Sequence, residues 1–197
     1  MNIEDLIQKE VDAIKNIPIT SKELDKVAWE IIHCTGHSPH GRIVTSGVGK
    51  AGMIARLLSS TLCSIGIPAL FLDPLNAQHG DLGIIREADC LFVISNSGQT
   101  REIIELISLV FSLNRNENKV IALVGNKDTS IDRLSNLCLY TGLTEEICPL
   151  GLTPTTSTTV MKVICDLLVV KIMEITNYKK EEYHARHHGG YLGQKSK

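Results

Sequence analysis

The chain has no run of lysine or arginine, and its 20 basic side chains are nearly balanced by 22 acidic ones, leaving a formal charge of -2. Without a basic field it has no means of holding nucleic acid by its phosphates. It also lacks a signal-peptide pattern and any apolar stretch long enough to cross a bilayer, so a cytoplasmic protein with neither a membrane nor nucleic acid as partner is expected. Cysteine occurs six times, at 34, 63, 90, 138, 148 and 165, but never as a C-x-x-C pair or at another metal-ligand spacing. Set mostly among apolar residues, these cysteines read as small buried hydrophobes in a reducing compartment. No linker rich in Gly, Pro or Ser divides the chain, and no repeat or low-complexity tract interrupts it. With 43% apolar residues in 197, one domain with a sizeable core is expected over residues 1–197.

What is present is periodicity of two kinds. Ile3, Leu6, Ile7, Val11 and Ile14 form a helical stripe, and Ser21 with Glu23 opens a second one through Leu24, Val27, Ala28, Ile31 and Ile32, so residues 1–34 read as an N-terminal helical arm. From Gly41 onward strands and helices alternate. Strand runs are expected at Arg42 to Thr45, Ala69 to Leu72, Cys90 to Ser95, Val120 to Val124 and Leu137 to Thr141. Their nearly unbroken apolar character suits a sheet covered on both faces, which predicts an α/β fold: a doubly wound, five-stranded parallel sheet flanked by helices. The segment from Thr159 to Met173 is apolar nearly all round, as either a central helix or an intersubunit one would be, and burial against a partner chain is the favoured reading.

The chemistry is organised around Thr45-Ser46-Gly47-Val48-Gly49-Lys50-Ala51-Gly52, a glycine turn between a strand run and a helical pattern. Such a turn aims backbone N–H groups and the positive end of a helix dipole at one spot, where an anion such as phosphate is favoured. A P-loop is excluded, because Val44 stands where its first glycine is required and Ala51 where its Ser or Thr is required. A dinucleotide fingerprint fits better through Gly47, Gly49 and Gly52, with Asp73 closing the next strand run. A second cluster, Ser95-Asn96-Ser97-Gly98-Gln99-Thr100, again ends a strand and opens a helix. Together the two describe a cradle for one phosphate with a polar remainder.

Other residues carry chemistry with a bland alternative beside each. Glu102 lies in the first turn of the following helix, where capping alone would justify a carboxylate. His79 sits in the loop Asn76 to Gly83, and loops concentrate function. His184, His187 and His188 have the i, i+3, i+4 spacing of a metal-binding helix face, but without the acid of a metalloprotease. No metal site is expected.

Taken together, Ser46 to Lys50, Ser95 to Glu102, His79-Gly80-Asp81-Leu82-Gly83 and His187-His188-Gly189-Gly190-Tyr191-Leu192-Gly193 resemble the sugar isomerase (SIS) domain of arabinose-5-phosphate isomerases, over about residues 35–193. Pro154-Thr155-Thr156-Ser157-Thr158 is similar to the Pro-Thr-Ser-Ser loop of that family. The resemblance implies interconversion of D-ribulose 5-phosphate and D-arabinose 5-phosphate, the first step toward Kdo for lipopolysaccharide or capsule. It further implies a homotetramer whose sites draw on neighbouring chains, and no redox cofactor or metal. Carried over by motif, Lys50, His79, Glu102 and His187 are the catalytic candidates, while Ser46, Gly47, Gly49, Ser95, Ser97, Thr100, Thr156 and Ser157 bind substrate. His187 or Glu102 would move the C1/C2 proton, Lys50 would stabilise oxyanion charge and His79 would serve ring opening or hydroxyl proton transfer. His188 stands where the family usually has proline, which leaves His187 and His188 as alternatives for the working histidine.

The chain ends just after the Leu-Gly pair, so the tandem CBS domains of longer members are expected to be absent. Feedback would then act at the sugar cleft, with CMP-Kdo as its agent. Three other readings stand beside this one: an isomerase of a hexulose or heptose phosphate, a non-catalytic sugar-phosphate sensor, and a dinucleotide enzyme.

Overall fold

Strands that are apolar on both faces have no stable place except the middle layer of a three-layer molecule. The computed structural model, which describes residues 2–36, 40–115 and 117–189, has that architecture. Helices α1 (Ile3–Lys15) and α2 (Ser21–Gly36) lead into β1 (Ile43–Gly47), α3 (Gly49–Ser64), β2 (Ala69–Phe71) and the short α4 (Pro74–Ala77). After a 3₁₀ turn at Asp81–Ile84 come β3 (Cys90–Ser95), α5 (Arg101–Leu113), β4 (Lys119–Val124), α6 (Ser130–Leu134), β5 (Leu137–Tyr140), α7 (Thr156–Thr176) and α8 (Lys180–Arg186). The five strands form one sheet in the order β2-β1-β3-β4-β5, every neighbouring pair parallel.

Side chains alternate along each strand, so each strand feeds two cores. Ile43, Phe92, Ile94, Ile121 and Leu123 pack under α2, α3 and α7, whereas Val44, Leu91, Val93, Val120 and Val124 pack under α5 with Ile131 of α6. Connection α3 therefore covers one face and α5 the other. At β1 and β3 the chain departs in opposite directions, to β2 on one side and to β4 on the other, which makes the gap between their carboxyl ends a topological switch point.

Both N-terminal helices are present, but the second is more than an arm. Of the two, α1 has no buried residue, whereas Val27, Ala28 and Ile31 of α2 are fully buried against the sheet. Its first turn is set by Thr20 rather than Ser21: the Thr20 N–H donates to the Glu23 carboxylate at 2.8 Å, and the Glu23 N–H to the Thr20 hydroxyl at 3.3 Å. The favoured placement of the long apolar helix also changes. Val160, Ile164, Leu168 and Ile172 of α7 are buried within the single chain, because the sheet face between α2 and α3 needs a third helix to close it. A narrow stripe with Leu167 and Val170 remains exposed.

The amino ends of β1, β3 and β4 are closed by a dense polar network. Buried Asp89 accepts the backbone N–H groups of Arg42 and Arg86 and pairs with the Arg42 guanidinium at 2.7 Å, while the Asn118 amide donates to three nearby carbonyls. Polar groups left open are found at the other edge. The cysteines are all free thiols, yet only Cys90 and Cys165 are buried; Cys63 is exposed. Cys148 departs from the expectation of a buried hydrophobe in its polar contacts. Its sulfur accepts the Thr153 and Leu152 N–H groups at 3.1 and 3.3 Å, which lowers the thiol to about 7. No helix among the described residues is long and apolar enough to cross a membrane.

Candidate active site

The register places the two predicted bends side by side. Gly47, the last residue of β1, pairs with Ile94, and Ser95 follows as the last residue of β3. Past Gly47 the chain turns into α3 through Gly49, whose φ of +59° favours glycine although a Cβ there would meet nothing. Past Ser95 it turns into α5 through Gly98, with φ of +62° and the Thr129 side chain packed where a Cβ would stand. The Gly125 N–H donates to the Asn96 carbonyl and the Ile131 N–H to the Gly98 carbonyl, each at 3.0 Å, so the second bend is held from the β4 side.

Capping distinguishes these two bends from the rest of the chain. The first N–H groups of α1 and α2 are met by Asn2 and by Thr20, and those of α7 by the Glu146 carboxylate. Val48, at the start of α3, has no acceptor to offer, and Thr100, at the start of α5, makes no capping bond because its hydroxyl lies 2.7 Å from that of Ser95. Among the described residues, α3 and α5 are thus the two long helices whose N-termini lack a side-chain cap, and they open at the same switch point. Unpaired helix N–H groups at adjoining strand ends make a receptor for an anion.

The predicted hydroxyls divide on this basis. Ser46 is fully buried and donates to the Leu72 carbonyl at 2.8 Å, tying β1 to the end of β2 instead of facing a ligand. Ser95 is buried as well, and its oxygen accepts the Gly98 N–H at 3.2 Å while bonding Thr100, so both shape the second bend. Ser97 is exposed at the mouth; it accepts the Gln99 N–H at 3.1 Å and keeps its own proton to donate.

Charged groups flank the mouth on both sides. Lys50 is exposed in the first turn of α3, and Glu102 is half-buried in the first turn of α5. His79 is exposed just beyond α4. Its neighbour Gln78 donates to Glu105 at 2.9 Å, which rests the α4 loop on the side of α5 that carries Glu102 one turn earlier.

Thr156 and Ser157 are also at this edge: α3 and α7 pack together, and the Tyr178 hydroxyl just past α7 donates to the Ser64 carbonyl at the end of α3 at 3.3 Å, so the two helices run in the same direction. Both residues are engaged inside the chain. The Thr156 hydroxyl donates to Glu10 at 2.8 Å, and the Ser157 N–H donates to Glu146 at 3.3 Å. Glu146 also accepts the N–H and hydroxyl of Thr155 at 2.6 and 3.0 Å. Desolvation acts to raise this carboxyl, but the Ser157 and Thr155 donors outweigh it and hold it below its ordinary value. A carboxylate of the chain itself thus occupies the anion position at α7. Sequence reasoning passed over Glu146; the signal was an acid ten residues ahead of a hydroxyl-rich helix start.

His187 is not brought to this group. It caps the C-terminus of α8, and the preceding Arg186 packs against Gly66, just past the far end of α3. With sixteen residues in α3, about 22 Å at 1.5 Å per residue separates that end from Lys50. His188 is exposed beside it, and Gly190, Tyr191, Leu192 and Gly193 lie outside the described residues. No group of three His, Cys, Asp or Glu among the described residues is placed to hold a metal ion.

A doubly wound sheet in 2-1-3-4-5 order with two uncapped helix ends at its switch point defines an α/β domain with a crevice suited to an anion. The sequence profile of the SIS domain matches residues 37–171, and the chain belongs to that family. It is 38% identical over 156 residues to the arabinose 5-phosphate isomerase KdsD of Yersinia pestis, covering 79% of this chain and 47% of that one. The chain spans about half the length of the curated relatives it matches. Among solved structures it is similar to one from Bacteroides fragilis provisionally named a phosphosugar isomerase involved in capsule formation, at 52% identity and a TM-score of 0.91, covering 96% of this chain and 97% of that one. It is also similar to an Escherichia coli protein in complex with arabinose 5-phosphate, at 29% identity and a TM-score of 0.82, over 95% of this chain and all of that one.

The Glu146 cap carries a pH signature. Because its folded-state pKa is lowered, its contribution is fully present above the unfolded carboxyl value and is lost as pH falls through the folded one. Glu146→Gln is expected to cost about 1 kcal/mol at neutral pH. Urea unfolding of the two proteins should show that gap shrinking as pH is lowered through the carboxylate range; a gap that widens would contradict the capping role.

Proposed function

We propose that the chain is a cytoplasmic aldose–ketose isomerase that interconverts D-ribulose 5-phosphate and D-arabinose 5-phosphate through an enediol, the first step toward Kdo for lipopolysaccharide or capsule. The observation that carries this reading is the pair of uncapped helix ends at the β1/β3 crevice with Lys50 on one lip and Glu102 on the other. The names of the relatives support it, and the arabinose 5-phosphate complex of the Escherichia coli protein supports a pentose phosphate as ligand.

In this mechanism the N–H groups opening α3 and α5, with the Ser97 hydroxyl, hold the phosphate. The sugar's carbonyl end then lies among Lys50, Glu102 and His79. A base removes a proton from C1 of the ketose, the C1–H electrons form the C1=C2 bond, and the former carbonyl oxygen takes a proton to give the enediol. Return of a proton to C2, with loss of the O1 proton, yields the aldose. Lys50 stabilises negative charge on the reacting oxygens, Glu102 or His187 carries the carbon-bound proton, and His79 serves hydroxyl proton transfer or opening of the aldose ring. Nothing in these steps requires a cofactor.

His187 enters the cleft from a second copy of the chain. Its place at the far end of α3 keeps it from its own Lys50, and the exposed apolar side chains Ile3, Ile7, Leu167 and Val170 offer surface for copies to bury, as in a homotetramer. CMP-Kdo, an anionic sugar nucleotide, would compete for the same cleft as a feedback ligand.

Three outcomes test this. Incubation with ribulose 5-phosphate in deuterated water should give arabinose 5-phosphate labelled at C2, and Lys50→Ala should lower kcat by about 100-fold or more; a hexose or heptose preference, or binding without turnover, would overturn it. Co-expressed Lys50→Ala and His187→Ala chains should recover about a quarter of wild-type activity, the share of shared sites that receive both intact residues; no recovery would place both residues in one chain's site. CMP-Kdo should raise the apparent KM without changing kcat, and the absence of competition would remove it as a ligand.

A further inference from the structure

We propose that Tyr183 is the positioning residue that decides which nitrogen of His187 is basic. This rests on the reading of His187 as a proton carrier of the isomerase. The His187 Nδ1 lies 2.9 Å from the Tyr183 carbonyl oxygen. A carbonyl only accepts, so the neutral imidazole carries its proton on Nδ1 and leaves the lone pair on Nε2. The two rings are stacked, centroids 3.8 Å apart and planes within 7° of parallel. Ring and carbonyl come from one residue, a turn earlier on α8, and together they fix both the rotation of the imidazole and its tautomer.

The platform beneath is fixed too. The His187 N–H donates to the His184 carbonyl at 3.2 Å, and the Arg186 guanidinium donates to the Glu182 carbonyl at 2.8 Å, packs against Gly66 and lies 5.8 Å over the Tyr178 ring. His188 has no such seat: it is exposed and meets the His184 ring edge-on at 6.5 Å. Of the two adjacent histidines, His187 is the one presented as an oriented base, its Nε2 lone pair available to a substrate held by the partner subunit in the proposed function.

The carbonyl cannot be removed by substitution, but the ring can. Tyr183→Phe keeps the stack and should retain kcat within about twofold, whereas Tyr183→Leu frees the ring to turn and should lower kcat about tenfold with KM for ribulose 5-phosphate nearly unchanged. Nitrogen-15 NMR of histidine-labelled protein at about pH 8, with His187→Gln for assignment, should show His187 protonated on Nδ1 in the wild type and a mixture of tautomers in Tyr183→Leu. An Nε2-protonated His187 in the wild type would overturn the proposal, and that measurement stands even if Tyr183→Leu fails to fold. So would a Tyr183→Leu protein with unchanged tautomer and kcat. Wild-type protein with no isomerase activity but the expected tautomer would instead end the functional reading and leave the geometry of the pair intact.

Discussion

The first N–H groups of a helix have no partner within the helix, and this chain treats them in two different ways. Most long helices are closed from within, α1 by Asn2, α2 by Thr20 and Glu23, α7 by Glu146. Helices α3 and α5 have no side-chain cap. Their positions follow from topology: a parallel sheet in the order 2-1-3-4-5 sends its crossovers to opposite faces at β1 and β3, so their two helices open beside one another. The two uncapped ends and the switch point coincide, and in the proposed function a phosphate supplies what both helix ends lack.

The rest of the site is arranged around that coincidence. Hydroxyls next to the bends build the bends: Ser46 ties β1 to Leu72, and Ser95 with Thr100 folds the turn after β3. Ser97 alone of the predicted serines stands open at the mouth. Lys50 and Glu102 then place opposite charges on the first turns of the two helices, so that an ammonium and a carboxylate flank the crevice. Glu146 acts one layer away. It fills the anion position at α7 and links that helix to the loop that follows β5.

The sheet was legible because its strands are buried on both faces and read as apolar runs; β3 spans the expected Cys90 to Ser95, and the others shift by at most two residues. The two glycine bends were legible because positive φ and a following helix leave a pattern in local sequence. Long-range pairings leave none. Nothing near Thr156 announces that Glu10, 146 residues earlier, takes its hydroxyl, or that Ser46 looks inward to Leu72. The enclosure of α7 by its own chain was hidden for a similar reason, since an apolar helix looks the same whichever surface covers it. His187 was legible as a motif residue, but its seat at the distal end of α3 belongs to tertiary structure alone.

The most direct test of the central claim is a crystal structure of the protein with arabinose 5-phosphate. The account predicts phosphate oxygens at about 3 Å from backbone N–H groups of both bends, Gly49 to Ala51 and Ser97 to Glu102, at once. A phosphate bound to one bend only, or seated at α7 in place of the Glu146 carboxylate, would contradict it.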